Sequence, residues 1–225
     1  MNFLSHYYFE KSTQSSNTVI GTVLPDLLKN ANKSWNLYPQ KKEHLFVNNT
    51  HLNEMLIGWK RHLAVDKLFH SSAFFEAQTT ELKQLLLPIL TNSPVRPSFL
   101  AHIGVELVLD HLLVTENRVD VGDFYNHLNS VEHDLLNDFL NKNNLSDTEK
   151  FFKFLNSFKT SRYLFSYKKI ENISYALQRI CMRLWAHPFS EETVNLLTTQ
   201  LGIYKLSLAK NYQIIFDEIE QRMPV

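Results

Sequence analysis

The sequence is poor in the residues that interrupt regular structure. Its 225 residues include only five glycines and seven prolines, a composition typical of long helices joined by short loops. No alternation of apolar and polar residues indicates a strand, and no internal repeat or low-complexity tract occurs. We therefore predict one all-α domain over residues 1–225, a helical bundle of about seven or eight helices.

The sequence also has little cysteine, no net charge and no long apolar run, and each of these bears on the class of protein. The single cysteine, Cys181, cannot form an intramolecular disulfide, which fits a reducing compartment. The 23 basic and 23 acidic residues cancel, so the overall charge gives no indication of binding to nucleic acid or to an anionic membrane. No apolar run reaches the roughly 18 residues of a membrane span, and the first residues lack the pattern of a signal peptide. We predict a cytoplasmic protein without a membrane span.

One apolar stretch carries an unusual number of ionisable residues. Read as a helix, residues 101–113 place His102, Glu106 and Asp110 four positions apart on one face, with His111 beside them. The intervening residues are almost all aliphatic, so we expect this helix to be buried. Buried ionisable groups are costly unless they are paired or bound to a cation. The pattern predicts a polar site in a helical core, although His102 is better interpreted as a satisfied core histidine.

A second stretch has the same spacing. Residues 58–70 place His62, Asp66 and His70 four positions apart. Facing helices that turn imidazole and carboxylate groups inward are a common way to build metal centres in helical folds. The absence of thiolates disfavours a zinc-finger type of site, and the mixture suits manganese, iron, zinc or magnesium. The alternative is that both rows are ordinary charged helix faces.

Four segments resemble acyl carrier protein phosphodiesterases in the same order along the chain. They are the opening Met-Asn-Phe-Leu-Ser-His of residues 1–6, residues 20–29, residues 58–66 and residues 106–113. The resemblance implies a helical fold distantly related to HD-domain phosphohydrolases. It also implies hydrolysis of the phosphodiester that joins 4′-phosphopantetheine to a serine of holo-acyl carrier protein, with a divalent metal, usually manganese.

The resemblance also implies a set of functional side chains. The candidate metal ligands are His6, Asp26, His62, Asp110 and His111. The candidate catalytic carboxylates are Asp26, Asp66 and Glu106. Arg179 and Arg183, four positions apart, could hold phosphate, and their alternative is a solvated helix face. Asp26 follows a proline, so capping of a helix is the alternative for this residue.

The sequence departs from the family pattern around these positions. Leu63 stands where the family has an arginine, which removes a plausible phosphate contact. His70 and Glu106 each stand where the family has an aspartate. The candidate ligands at His62 and Asp110 are retained, so the metal centre is a firmer inference than the substrate.

Substrate and partner stay open at this stage. An acidic carrier protein needs a basic docking surface, which Lys159, Arg162, Lys168 and Lys169 could supply. A nucleotide or another small phosphoester is an alternative substrate, and a non-catalytic carrier-binding protein is an alternative function. A di-iron oxidase is disfavoured because neither row contains the Glu-x-x-His pair of that architecture. The oligomeric state is not indicated.

Overall fold

The computed structural model describes residues 1–223, and this range contains helices and no strand. The α-helices are α1 (Phe3–Tyr8), α2 (Ser16–Ala31), α3 (Thr50–His70), α4 (Ala73–Leu86), α5 (Pro97–Thr115), α6 (Val121–Ser130), α7 (His133–Lys142), α8 (Thr148–Ser161), α9 (Ile170–Cys181), α10 (Glu191–Leu208) and α11 (Gln213–Arg222). Short 3-10 helices cover Pro39–Lys41, Glu43–Leu45, Leu87–Ile89 and Tyr163–Lys168. The predicted all-α fold is confirmed.

The described range contains more α-helices than the predicted seven or eight, because continuous apolar periodicity hides breaks. The pattern over residues 119–140 predicts one helix, but Val131 has extended backbone and separates α6 from α7. Likewise, the pattern over 190–220 is divided between α10 and α11. The pattern over 147–167 predicts a helix that in fact ends at Ser161, since Arg162 adopts a left-handed φ of 46°.

In α2, by contrast, the sequence predicts a break that the structure does not contain. Pro25 lies inside the helix, although it lacks the N–H that would reach the carbonyl of Gly21. Residues on both sides of the proline, including Val23 and Leu27, are fully buried. Burial of this apolar face offsets the loss of one backbone hydrogen bond.

Contacts between Cα atoms divide the chain into two compact units. Unit A consists of residues 2–66 and 119–164, and therefore contains α1, α2, most of α3, and α6 to α8. Unit B consists of Met1, residues 67–118 and the segment from Phe165 onward, and contains α4, α5 and α9 to α11. Each unit is assembled from segments distant in the sequence. The assignment of the chain to one domain stays a prediction.

Two glycines let α2 and α3 approach closely within unit A. A Cβ atom on Gly21 would collide with the backbone of Met55, and one on Gly58 would collide with the backbone of Thr18. Only a residue without a side chain fits at either position. The contact fixes α3 against α2 and places His62, one turn after Gly58, beside the backbone of α2.

In unit B, α5 is the buried helix that the sequence predicts. It packs against α4, α9 and α10, and Asp110 is fully buried within it. By length and hydropathy α5 passes the test for a membrane span, but 67% of its most apolar window is buried inside the structure. Such burial is what a core helix shows. The buried Cys181 fits its predicted core position, and burial raises the pKa of its thiol to about 11.

The close contact between α2 and α3 leads to a stability prediction. We expect Gly58→Ala to lower the free energy of unfolding by about 1–3 kcal/mol, because the added methyl group must push two backbones apart. Gly202 in α10 has open space around it, so Gly202→Ala should raise stability by about 0.5–1 kcal/mol through helix propensity. Equilibrium urea unfolding measures both, and a neutral or stabilising Gly58→Ala would contradict the close contact.

Candidate metal centre

Within unit A, three side chains from α1 and α3 converge, and we call them the His6 triad. His6 Nε2 lies 3.2 Å from Asp66 Oδ1, and His62 Nε2 lies 3.4 Å from Asp66 Oδ2. One ligand atom from each residue lies within 4.8 Å of the others. His62 and Asp66 are one turn apart on α3, as predicted, whereas His6 is supplied by α1.

The imidazole rings of the triad are held in fixed orientations. Both histidines are buried, and their rings stack with centroids 3.9 Å apart. His62 Nδ1 lies 2.8 Å from the carbonyl oxygen of Thr22, so this nitrogen carries the proton and donates it. Its other nitrogen, Nε2, is the one that faces Asp66. Histidines that bind metals characteristically donate their second N–H to a carbonyl in this way.

The electrostatics of the triad favour the cation-binding forms of His6 and Asp66. Burial, followed by the charge of His62, lowers the pKa of His6 to about 3. Burial also acts to lower the pKa of His62, but the hydrogen bond to Asp66 and the charge of Asp26 outweigh it and raise that pKa. For Asp66 burial acts to raise the pKa, but the hydrogen bonds from both histidines hold it far below its usual value. The site thus combines an ionised carboxylate with a neutral His6.

The distances in the triad fit a divalent ion. Donor atoms around a tetrahedral ion with bonds of about 2.0–2.1 Å stand about 3.3 Å apart. The distance from His6 Nε2 to Asp66 Oδ1, 3.2 Å, and the distance from His62 Nε2 to Asp66 Oδ2, 3.4 Å, are both close to this value. Two imidazoles and one carboxylate, with an open side towards a pocket, match the donor set of many catalytic metal sites.

A pocket of about 270 Å³ adjoins the triad inside unit A. Asp26, His62 and Asp66 form its polar end. Most of the remaining wall is apolar or aromatic and comprises Pro25, Leu28, Trp35, Leu37, Tyr38, Trp59 and Leu63. Lys29 and Asn36 add polar atoms to the wall, and the Lys29 ammonium group donates to the Asn36 side chain at 2.5 Å.

The end of α1 is tied to α3 by a partly buried ion pair. Arg61 Nη1 donates to Glu10 Oε2 at 2.8 Å. Glu10 is only 1% exposed, and burial raises its pKa although Arg61 acts in the opposite direction. Because Glu10 follows α1 and Arg61 precedes His62, this pair helps to hold His6 against α3.

Unit B contains a second group of the same kind, the Glu106 triad. His102 Nε2 and His70 Nε2 lie 3.3 and 3.6 Å from Glu106 Oε1. The side chains of His70 and His102 are 33% and 48% exposed, so this group is more open than the His6 triad. The interpretation of His102 as a core histidine is therefore wrong, because His102 lies on the solvent-exposed side of α5.

The predicted ligands Asp110 and His111 are buried in unit B and belong to neither triad. His111 Nδ1 donates to the carbonyl oxygen of Tyr167 at 2.6 Å, and His111 Nε2 has no hydrogen-bond partner within residues 1–223. Burial lowers the pKa of His111, although the Tyr167 carbonyl acts to raise it. A metal-binding role for Asp110 and His111 stays a prediction.

The predicted arginine pair does not share a helix face. Arg179 is exposed on α9, but α9 ends at Cys181, so Arg183 lies in the turns that follow. The apolar pattern over residues 170–186 predicts that α9 reaches residue 186. The helix ends early because the backbone turns at residues 182–187, where His187 has a left-handed φ of 49°. A role for either arginine in holding phosphate stays a prediction.

Comparison with known proteins adds one finding. The family model for acyl carrier protein phosphodiesterase matches residues 1–219. The chain belongs to this family. Neither a curated protein nor a solved structure matches it. The matched range includes both triads and the pocket, so the family assignment predicted from four short segments is confirmed over nearly the whole chain.

The four-residue spacing in the sequence predicts the pairs His62–Asp66 and His102–Glu106. It does not predict which histidine completes each triad. The row His62, Asp66 and His70 is divided, since the first two residues join His6 and the third joins His102 and Glu106. His70 and His102 belong to the two predicted rows but were not among the candidate ligands that the resemblance implied. The available signal was the four-residue spacing of His102 and Glu106, which is the spacing of His62 and Asp66.

The His6 triad leads to a metal-binding prediction. We expect the protein to bind Mn²⁺, and Asp66→Asn to weaken that binding by about tenfold or more, because the variant replaces the anionic ligand with a neutral amide. Equilibrium dialysis measures the affinity. Asp134→Asn is the matched control, because Asp134 is a fully exposed aspartate that also lies beside a histidine. Equal affinities for the two variants would contradict the assignment.

Proposed function

We propose that this protein hydrolyses the phosphodiester between 4′-phosphopantetheine and the carrier serine of holo-acyl carrier protein, using a divalent metal, most readily Mn²⁺, at the His6 triad. Membership of the family supports the reaction and the substrate. The metal is supported by the observation that carries the proposal: two oriented imidazoles and an ionised carboxylate converge, and two of these three residues, His62 and Asp66, line the polar end of a pocket. A bound divalent ion would lower the pKa of a water molecule and neutralise charge on the phosphoryl oxygens.

The side chains of the site have distinct tasks in this proposal. Asp66 and the Nε2 atoms of His6 and His62 are the ligands, and the Thr22 carbonyl keeps His62 in the required tautomer. Asp26, in the wall of the same pocket, is the proposed base that accepts a proton at its carboxylate as water attacks phosphorus. The bond between phosphorus and the serine oxygen then breaks, Asp26 returns the proton to that oxygen so that the serine leaves as the alcohol, and 4′-phosphopantetheine keeps the oxygen of the water.

The shape and lining of the pocket suit the end of a prosthetic group. Its volume of about 270 Å³ lies below the roughly 300–1,000 Å³ of sites that enclose a whole drug-sized ligand. Trp35, Tyr38 and Trp59 provide flat apolar surface for an aliphatic chain, and Lys29 provides a cation in the pocket wall. These features favour the phosphate and the adjoining part of the pantetheine arm over an entire nucleotide.

We also propose a docking contact for the carrier protein. Arg162, Lys168 and Lys169 are exposed, and Lys159 is half-buried. Lys159 lies in the last turn of α8 and Arg162 directly follows that helix in unit A, whereas Lys168 and Lys169 belong to unit B, in a chain whose overall charge is zero. Local basic groups of this kind attract an acidic partner without making the whole protein cationic. The carrier is a cytoplasmic protein in this proposal, and the enzyme is cytoplasmic with it.

The direct test is the intact mass of holo-acyl carrier protein after incubation with the protein and Mn²⁺. We expect conversion to the apo form, loss of conversion with a chelator, and at least about hundredfold slower conversion by Asp26→Asn, because the proposed base is removed. Asp134 is exposed and does not line the pocket beside the His6 triad, so Asp134→Asn should retain the parent rate. Mn²⁺ binding without conversion would overturn the substrate and favour a small phosphoester, and absence of both would favour a non-catalytic binding protein.

Position 63 provides a second test, because it lies in the pocket wall where the family has an arginine. Leu63 is 39% exposed, so an arginine fits there without being buried. We expect Leu63→Arg to lower KM for holo-acyl carrier protein by about tenfold, since a charge-assisted hydrogen bond to phosphate contributes about 1.5–3 kcal/mol.

The matched control is Ile57→Arg, on the same helix with 42% exposure and outside the pocket wall. It adds the same charge without reaching the phosphate. A KM that falls equally in both variants would assign the effect to general attraction of an acidic carrier, and an unchanged KM in Leu63→Arg would contradict the proposed position of the phosphate.

A further inference from the structure

The Glu106 triad has the geometry of a metal site and takes no part in the reaction proposed above. Its nitrogen-to-oxygen distances of 3.3 and 3.6 Å are close to the spacing of about 3.3 Å expected around a tetrahedral ion. The ligand atoms of all three residues lie within 4.8 Å of one another. The Nε2 atoms of His70 and His102 both approach the same oxygen, Glu106 Oε1, so the three donor atoms lie close to one another.

Aromatic packing holds the two imidazoles in place. The His70 and His102 rings stack with centroids 5.0 Å apart and an interplanar angle of 19°. The ring of Phe75 meets each of them edge-on at a centroid distance of 4.9 Å. A half-exposed histidine normally samples several rotamers, and this shared contact with Phe75 restricts both rings at once. Preorganised ligands of this kind lower the entropic cost of binding an ion.

The amino group of Met1 lies next to the Glu106 triad. It is 3.5 Å from Glu106 Oε1, and the Met1 side chain is buried. Glu106 therefore has a cationic partner besides the histidines.

We propose that His70, His102 and Glu106 form a second metal site, selective for a late first-row divalent ion such as Co²⁺ or Zn²⁺ over Mn²⁺ and Mg²⁺. The only carboxylate in this triad is Glu106, whereas Asp26 lies beside the His6 triad as a second carboxylate in the pocket wall, and Mg²⁺ and Mn²⁺ prefer sites richer in oxygen. The exposure of both histidines leaves room for water or an exogenous ligand at the remaining coordination positions. This inference is independent of the proposed function.

The test is a titration of the metal-free, full-length protein with Co²⁺, followed through its visible absorption and by equilibrium dialysis. We expect His102→Gln and His70→Gln each to bind about one equivalent less Co²⁺ than the parent, or to bind that equivalent at least about tenfold more weakly. Because both residues are partly exposed, the variants should fold, and thermal unfolding of the metal-free proteins checks this.

The matched control is His51→Gln. His51 Nδ1 lies 3.4 Å from Glu54 Oε2, so this exposed pair has the same chemistry without a third ligand. We expect this variant to bind Co²⁺ like the parent. Unchanged stoichiometry and affinity in folded His102→Gln and His70→Gln would overturn the site.

Competition tests the selectivity and separates this site from the His6 triad. In Asp66→Asn, the Co²⁺ that remains bound should be displaced by Zn²⁺ and should resist a large excess of Mg²⁺ or Mn²⁺. Displacement by Mg²⁺ or Mn²⁺ as readily as by Zn²⁺ would overturn the proposed selectivity. Loss of all Co²⁺ binding in Asp66→Asn would assign the ion to the His6 triad and overturn the second site.

Discussion

The contact between α2 and α3 is the constraint on which the site in unit A depends. Gly21 and Gly58 allow the two backbones to meet, since a Cβ atom at either position would collide with the other helix. The next residue of α2, Thr22, thereby presents its carbonyl oxygen to His62, one turn after Gly58. Helix packing thus selects the histidine tautomer, and through it the nitrogen that faces Asp66. A slightly wider separation would remove the hydrogen bond and release the ring.

Removing carboxylates from water costs free energy in this region, and neighbouring polar groups offset that cost. The Nε2 atoms of His6 and His62 lie 3.2 and 3.4 Å from the Asp66 carboxylate, and Glu10 accepts from Arg61. Each carboxylate would be strongly destabilising if it were buried alone. The same neighbours that make the charge tolerable also fix the geometry, so the energetics of folding and the preorganisation of the site share one set of contacts.

The two triads are variants of one design. Each contains a histidine and a carboxylate one helical turn apart, and each is completed by a histidine from another helix. They differ in environment, because His6 and His62 are buried beside a pocket whereas His70 and His102 are open to solvent. A buried group beside an apolar pocket suits chemistry on a substrate, and an exposed group suits reversible ion binding. The family match covers the residues of both groups and assigns a role to neither.

The sequence by itself determined the all-α class, the burial of α5 and the pairs His62–Asp66 and His102–Glu106, because each follows from helical periodicity within a single segment. Only the tertiary structure decided that His6 completes one group and His70 the other, since those contacts join residues distant in the chain. It also decided that α2 runs through Pro25, where burial outweighs local propensity. Local spacing is a property of one helix, whereas the partner that a side chain meets depends on how different helices pack.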